Sequence, residues 1–504
     1  MSRPEISAEA LHEVDRVFAR QQATGAAPSA AWGVFDGSGV VHWGAAGALK
    51  SGATPGPATA YRIASCTKSF TAAAILILRD EGKLKLDDPV SSHVPGFSAV
   101  ALPTADSPEV TLRMLLTMSA GFPTDDPWAD RQESMTPAEF DTLLSAGLSF
   151  DSVPGTSFAY SNLGYALLGR VIESASGMGY REFVRERLLE PLGLYGTAFE
   201  AGHYHGEGAA QGARNLDGEW DYLPFSGPGA FSPIGGLFST VTDLSRWAAW
   251  LASAFDADAR AESPEPAGVE HAAAEHVVAE HAGTKHAEVL SRASRREMQQ
   301  AQRIVLERSE HPMGYGLGLF VEHYENQGPV VSHSGGYPGC SAHMRWSTEL
   351  GVGVVAFENA TFSRVPLAAV EAFDGLLTSL RSSRQGDLLA RAWPETRLAQ
   401  AEVTALLRNW SDETARTLFT PNVELDMPFP QRREALAAAL RAIGGLTEGA
   451  PRDEKSSAPS QLSWTVPGRL GGLRAHIQLT PELPPRVQSL RVETVAPAAG
   501  PMLR

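Results

Sequence analysis

Residues 64–70 read ASCTKSF, which places Ser65 three residues before Lys68. The pair opens a long apolar run that closes in "DEGK" at 80–83. That run predicts a helix from Cys66 to Leu78, with Gly82 as its C-terminal cap. Side chains at i and i+3 share a helix face, so the hydroxyl and the ammonium are neighbours. A serine hydroxyl is a poor nucleophile near neutral pH and needs a base. A lysine buried beside other donors has its pKa lowered enough to serve as one. The spacing therefore builds an activated serine. Alone it is weak evidence, because a serine cap followed by an exposed lysine gives the same letters.

The rest of the chain narrows the choice. Its 504 residues exceed what one small core needs and suggest two or three domains. Hydrophobic residues make up 43% and charged residues 20%, an ordinary soluble globular balance. The net charge of −16 argues against nucleic acid or an anionic membrane as the main partner. Two cysteines, Cys66 and Cys340, do not make a disulfide scaffold, although a bridge between them stays open. The first 22 residues predict an amphipathic helix capped near Ser7 rather than a signal peptide. No stretch reaches 18 apolar residues, so no transmembrane helix is expected, and the cytoplasm is the expected compartment.

Around "DGSG", residues 30–50 predict a β-hairpin. Further helices are expected at 111–118, opened by Thr111, at 160–177, stopped by Gly177, and at 180–189 and 240–255. In 256–288, His271, His276, His281 and His286 recur every five residues. Five residues turn a helix by about 500°, so these rings walk around the axis and build no ligand face. The segment reads as a low-complexity surface insertion. Consecutive strands are expected over 314–360, followed by a helix at 364–381. From about Gln385 the pattern restarts. Helical "AEVTALLRNW" and "RREALAAALRAIG" join strands expected near 422–427, 462–466, 473–479 and 486–494, with 447–461 as a flexible connection. The expected fold is α/β (α+β). An antiparallel sheet flanked by helices and an all-helical subdomain fill 1–384, and a small α+β domain fills 385–504.

Two further motifs follow the Ser-x-x-Lys pair. "PGTSFAYSNLGY" supplies Tyr160, Ser161 and Asn162, and "HSGG" supplies His333, Ser334, Gly335 and Gly336. With these three in this order, the sequence resembles the serine β-lactamases and penicillin-binding proteins, in their class C-like branch. That branch also holds D-aminopeptidases, esterases and peptide-cyclising thioesterases. The flanks "YRIASCTKSFTA", "EGKLKLDDPV", "TLRMLLTMSAG" and "GGLFSTVTDLSRW" carry the likeness from about residue 8 to 380. The resemblance implies that Ser65 is the nucleophile of an acyl-enzyme and that Lys68 shares its proton traffic. Tyr160 would be the general base, biased toward phenolate by Lys68. Asn162 would bond both Lys68 and a substrate amide. The N–H groups of Ser65 and Gly336 would form an oxyanion hole. Gly335 would let its strand lie close to substrate, and His333 would close the site opposite Tyr160. Cys66 is expected to pack inward. Trp128, in 121–135, is expected in a loop over the pocket, and Trp220, Tyr222 and Phe225 along another wall.

One departure bears on the substrate. The drug-hydrolysing members carry a lysine where His333 stands. An imidazole is largely neutral at pH 7 and weakens recognition of a carboxylate. The leading expectation is a serine hydrolase acting on an ester or amide, with a small-molecule or peptide acyl substrate and neither cofactor nor metal. A peptide-cyclising thioesterase, taking a carrier-protein-linked acyl group, a β-lactamase and a catalytically silent binding protein on the same fold remain alternatives.

Overall fold

The computed structural model describes residues 5–204, 208–256, 289–306, 311–324, 328–382, 392–456 and 458–496. The four-histidine insertion lies outside them. By contacts the chain divides into Met1–Ser379 and Leu380–Arg504.

The first unit is organised by the run that opens with Ser65. A 3-10 turn, Ala64–Cys66, leads into the helix Thr67–Asp80. Every residue from Thr67 to Leu78 is buried, so this helix is enclosed on all faces and stands in the middle of the core, its few polar side chains near its start. Phe70 stacks on Trp247 of the helix Val241–Ala252 at 3.9 Å, and the Trp247 indole N–H donates to Ser69 Oγ at 3.0 Å. Helix Asn162–Ser176 packs beside it, begun by Ser161 and ended by Gly177 at φ 72°. The stretch 180–189 forms a helix, Tyr180–Val184, and then a π-turn, Arg185–Leu189.

The eight-stranded sheet is antiparallel throughout. Its strand order is 39–47, 29–36, 353–358, 340–347, 328–337, 320–324, 313–315 and 303–304. The expected hairpin is Ser29–Asp36 with Gly39–Gly47. At the start of the expected strands, Met313–Tyr315 and Phe320–Tyr324 are joined by a turn at Gly318, which has φ 74°. The N-terminal helix Ala8–Ala23, capped by Ser7, lies on the sheet through Phe18, which stacks on Trp32 at 4.9 Å. Among the described residues no helix is long and apolar enough to cross a membrane.

The second unit has a four-stranded antiparallel sheet in the order 452–455, 461–468, 471–479 and 487–495. Val403, Leu407, Phe419, Phe429, Trp464 and Ile477 fill its core. Two expectations are corrected. Residues 422–427 are not a strand; Pro421–Asp426 is a helix. Pro421 fixes φ at a helical value in the first turn, where no N–H is needed. The supposed flexible connection contains the edge strand Arg452–Lys455, which pairs with Gln461–Gly468.

Candidate active site

The site begins with a strained turn. Ala64 has φ 45°, in the left-handed region, which costs a non-glycine residue about 1–3 kcal/mol. Ile63 N–H bonds Leu237 O at 2.9 Å and pins the turn from one side. The Cys66 thiol donates to His333 O at 3.3 Å and pins it to the motif strand Gly328–Tyr337. Gly335 makes that approach possible, since a Cβ there would lie 2.3 Å from Ile63 O. At Gly336 a Cβ would meet nothing within 4 Å. Ser65 keeps 8% of its surface and Lys68 none.

Lys68 Nζ has three partners: Asn162 Oδ1 at 2.6 Å, Ile234 O at 2.9 Å and Ser65 Oγ at 3.0 Å. The first two can only accept. They consume both hydrogens of a neutral amine and turn its lone pair toward the serine O–H. Burial lowers the Lys68 pKa to about 8, against the opposing pull of the Asp126, Asp130 and Asp125 carboxylates. Desolvation is thus the dominant cause.

Tyr160 precedes the helix Asn162–Ser176 and hydrogen-bonds Ser65. Lys68 Nζ stands 5.0 Å from its ring centre. The expected bias toward phenolate is not met. Burial, and then the carboxylate of Asp126, push the phenol well above its ordinary value, so Tyr160 rests protonated. His333 is locked neutral. Its Nδ1–H donates to Ser334 O at 2.6 Å and its Nε2 accepts from Tyr315 O–H at 3.3 Å. Burial, helped by the charge on Lys68, drives its pKa down to about 3. Its ring centre is 6.2 Å from that of Tyr160, and Phe320 lies 5.4 Å from it.

Asn162 is fully buried. Its Nδ2 donates to Asp126 Oδ1 at 2.6 Å, on the partner side expected for a substrate amide. Asp125 accepts the N–H groups of Asn162 and Leu163 at 2.7 and 2.9 Å, a carboxylate on orphan donors at a helix start. Trp128 leaves the turn Asp126–Ala129 on its outer side. It stays 42% exposed and meets Phe231 edge-on at 5.5 Å. Phe225 packs edge-on against Phe238 at 5.6 Å, and Tyr222, on the strand Glu219–Tyr222 with Trp220, lies under Lys50 at 5.4 Å. Cys66 and Cys340 are both free thiols, raised by burial to about 12 and about 11.

The motifs do not reveal what braces the 121–135 loop. Glu133, 1% exposed, pairs with Arg62 just ahead of the nucleophile turn. It also accepts from Tyr337 O–H at 2.8 Å, just beyond the glycine pair, and from Ser226 Oγ at 3.1 Å. The Arg62 guanidinium lies 4.4 Å from the Phe238 ring centre. Removing one member strands the other's charge in the core. Glu133→Ala is therefore expected to destabilise the first unit by about 3–5 kcal/mol in urea unfolding. A loss under about 1 kcal/mol would show that water reaches the pair.

A cavity of about 700 Å³ lies away from this cluster, between Met135, Arg170, Tyr180, Tyr195, Phe199 and Pro233. Neither Ser65, Lys68 nor Tyr160 lines it. Hydrogen-bond geometry, rather than cavity size, marks the reactive point.

A serine and a lysine at the mouth of a buried helix, faced by a tyrosine–asparagine pair and a glycine-rich edge of an antiparallel sheet, define the serine β-lactamase and penicillin-binding protein architecture. The Beta-lactamase family profile matches residues 14–376, and the chain belongs to that family. Protein flp of Staphylococcus aureus strain COL is 32% identical over 197 residues, 38% of this chain and 38% of that protein. The chain thus matches well under half the length of this curated relative. An octameric penicillin-binding protein homologue from Pyrococcus abyssi superposes with a TM-score of 0.59 at 20% identity, over 97% of this chain and 98% of that one. A D-stereospecific amidohydrolase from Streptomyces sp. gives 0.55 at 23% identity, over 73% and 98%. At such identities the two structures carry the fold.

Proposed function

We propose that this protein is a serine hydrolase that takes an ester or amide acyl group onto Ser65 and passes it to water. One observation carries the reading: Lys68 Nζ lies 3.0 Å from Ser65 Oγ while two carbonyl oxygens take its other hydrogens, so that once neutral the amine turns its free electron pair to the serine hydroxyl. In that reading Lys68 removes the serine proton as Oγ adds to the acyl carbonyl. The new oxyanion lies against the N–H groups of Ser65 and Gly336. Tyr160, a protonated phenol bonded to Ser65, gives its proton to the leaving oxygen or nitrogen and is refilled from the Lys68 ammonium. Water then attacks the ester by the same relay in reverse.

A locked, neutral His333 offers no cation to a substrate carboxylate, which disfavours a dedicated β-lactamase. A silent binding protein is disfavoured because a buried lysine with depressed pKa has a desolvation cost and no structural return. A peptide-cyclising thioesterase would use the same acyl-enzyme and differ only in the acceptor. Rates on p-nitrophenyl esters, alanyl anilides and nitrocefin sort these readings. Ester or anilide turnover well above nitrocefin turnover supports ours; the reverse order overturns it.

The reading also sets a pH profile. The base is neutral Lys68, whose pKa is lowered to about 8. Below that value the amine is protonated and kcat/KM falls about tenfold per pH unit; above it the rate levels off. An acid limb near pH 4 instead would assign the proton transfer to a carboxylate.

A further inference from the structure

Behind the catalytic helix lies a concavity that acyl transfer on Ser65 does not use. Its volume of about 700 Å³ is that of a small-molecule site. Its floor is apolar, built by Gly169, Leu189, Leu194, Phe199, Ala230 and Pro233. Two hydroxyls also face the floor, and both are already bonded. Thr197 Oγ1 donates to Asp243 Oδ2 at 3.0 Å, and the Tyr180 hydroxyl meets Thr71 Oγ1 at 2.8 Å. Neither is left to hold a polar group, so the buried part of an occupant must be apolar. Tyr180, Tyr195 and Phe199 give the lining an aromatic character that suits a flat ring. Charges stand at the mouth, where three arginines and four glutamates contribute to the lining. Arg170 pairs with Glu173, Arg181 with Glu200 and Arg185 with Glu190, which leaves Glu182 in surplus. No guanidinium there is free for an anionic head, and the surplus charge repels one.

Pro233 is the wall shared with the active site. Helix Asn162–Ser176 presses on it at Gly169, where a Cβ would lie 2.3 Å from Pro233 Cγ. Pro233 O accepts from Thr71 Oγ1 at 2.8 Å, which uses that hydroxyl's one hydrogen and makes Tyr180 the donor to Thr71. Thr71 stands one turn beyond Lys68, and the carbonyl after Pro233, Ile234 O, holds Lys68 Nζ at 2.9 Å. Two residues of the cavity wall, Tyr180 and Pro233, therefore brace the helix that carries the base. We propose that this cavity binds an uncharged aromatic small molecule as an effector of the Ser65–Lys68 site. A ligand that fits the cavity as it stands favours the arrangement in which this wall holds the catalytic helix. The binding claim is independent of the reaction; the effect on rate rests on the reading of Lys68 as the base.

The test titrates the full-length protein with N-phenyl-1-naphthylamine, an uncharged dye that fluoresces in apolar sites, and with its sulfonated analogue 8-anilinonaphthalene-1-sulfonate. The uncharged dye should half-saturate at about 1–100 µM, and the anion should bind at least about tenfold more weakly. Capping Ser65 with a fluorophosphonate should leave the dye bound, because Ser65 does not line the cavity. Ala198→Trp and Ala230→Trp fill the cavity from two walls. Each should weaken the dye at least about tenfold, with a thermal melt within a few degrees of the parent's. Saturating dye should raise kcat on a p-nitrophenyl ester about twofold or more at unchanged KM. Dye binding that is absent, lost on capping Ser65, indifferent to both tryptophans or matched by the sulfonate overturns the site. Dye binding with kcat unchanged or lowered overturns the effector role and leaves the site. An ester that is not turned over at all tells against the hydrolase reading, while the dye titration still decides the cavity.

Discussion

Ser65→Ala is expected to leave a folded protein without measurable turnover, kcat falling by about 10⁴- to 10⁶-fold, as when a nucleophile is removed from an activated unit. The change deletes one oxygen from a residue that is 8% exposed. Lys68 keeps Asn162 and Ile234 as partners, so no buried acceptor is orphaned. The strained Ala64 turn is held by backbone bonds and by Cys66, which the substitution does not touch. The melting temperature should stay within a few degrees of the parent's while the rate collapses. Retained hydrolysis at even a hundredth of the parent rate would require another nucleophile.

Lys68→Met carries the second large effect. Methionine fills similar space but cannot take a proton, so acylation should slow by about 10³-fold or more. The substitution also distinguishes base from bystander through the pH profile. In the parent, the acid limb near pH 8 belongs to the lysine whose pKa burial has lowered to about 8. In the variant the residual rate should lose that limb. Were the limb retained, the titrating group would have to be another, and Asp130, held near 7, would be the first to examine by the same substitution.

The three motifs were legible because each is chemically local. Ser65 and Lys68 sit one turn apart, and glycines announce where a strand approaches a backbone. The Asn162–Lys68 contact, across 94 residues, was legible only through the family resemblance, and the structure contains it. What completes the base was not legible: the third partner is the backbone carbonyl of Ile234, which no side-chain motif records. The resting state of Tyr160 was misjudged for a related reason. The motif suggests a lysine beside a phenol, whereas the burial and the Asp126 carboxylate that govern its titration come from tertiary packing. Asp126, Asp130 and Glu133 stood in a stretch recognisable only as a loop over the pocket. Their different environments follow from which carboxyl found a guanidinium, which an amide and which nothing. In the second unit Pro421 overrode an apolar alternation that imitates a strand, and the edge strand Arg452–Lys455 gains its order from pairing rather than from composition.

The proton path depends on one bond forming at one atom. Acid-quenched reactions with a slow p-nitrophenyl ester at pH 8, read by intact mass and then by peptide mapping, test it most directly. The account predicts a mass increase equal to the acyl group, confined to the peptide containing Ser65 and lost in Ser65→Ala. An adduct on any other residue, or steady turnover with no adduct at any quench time, would contradict it.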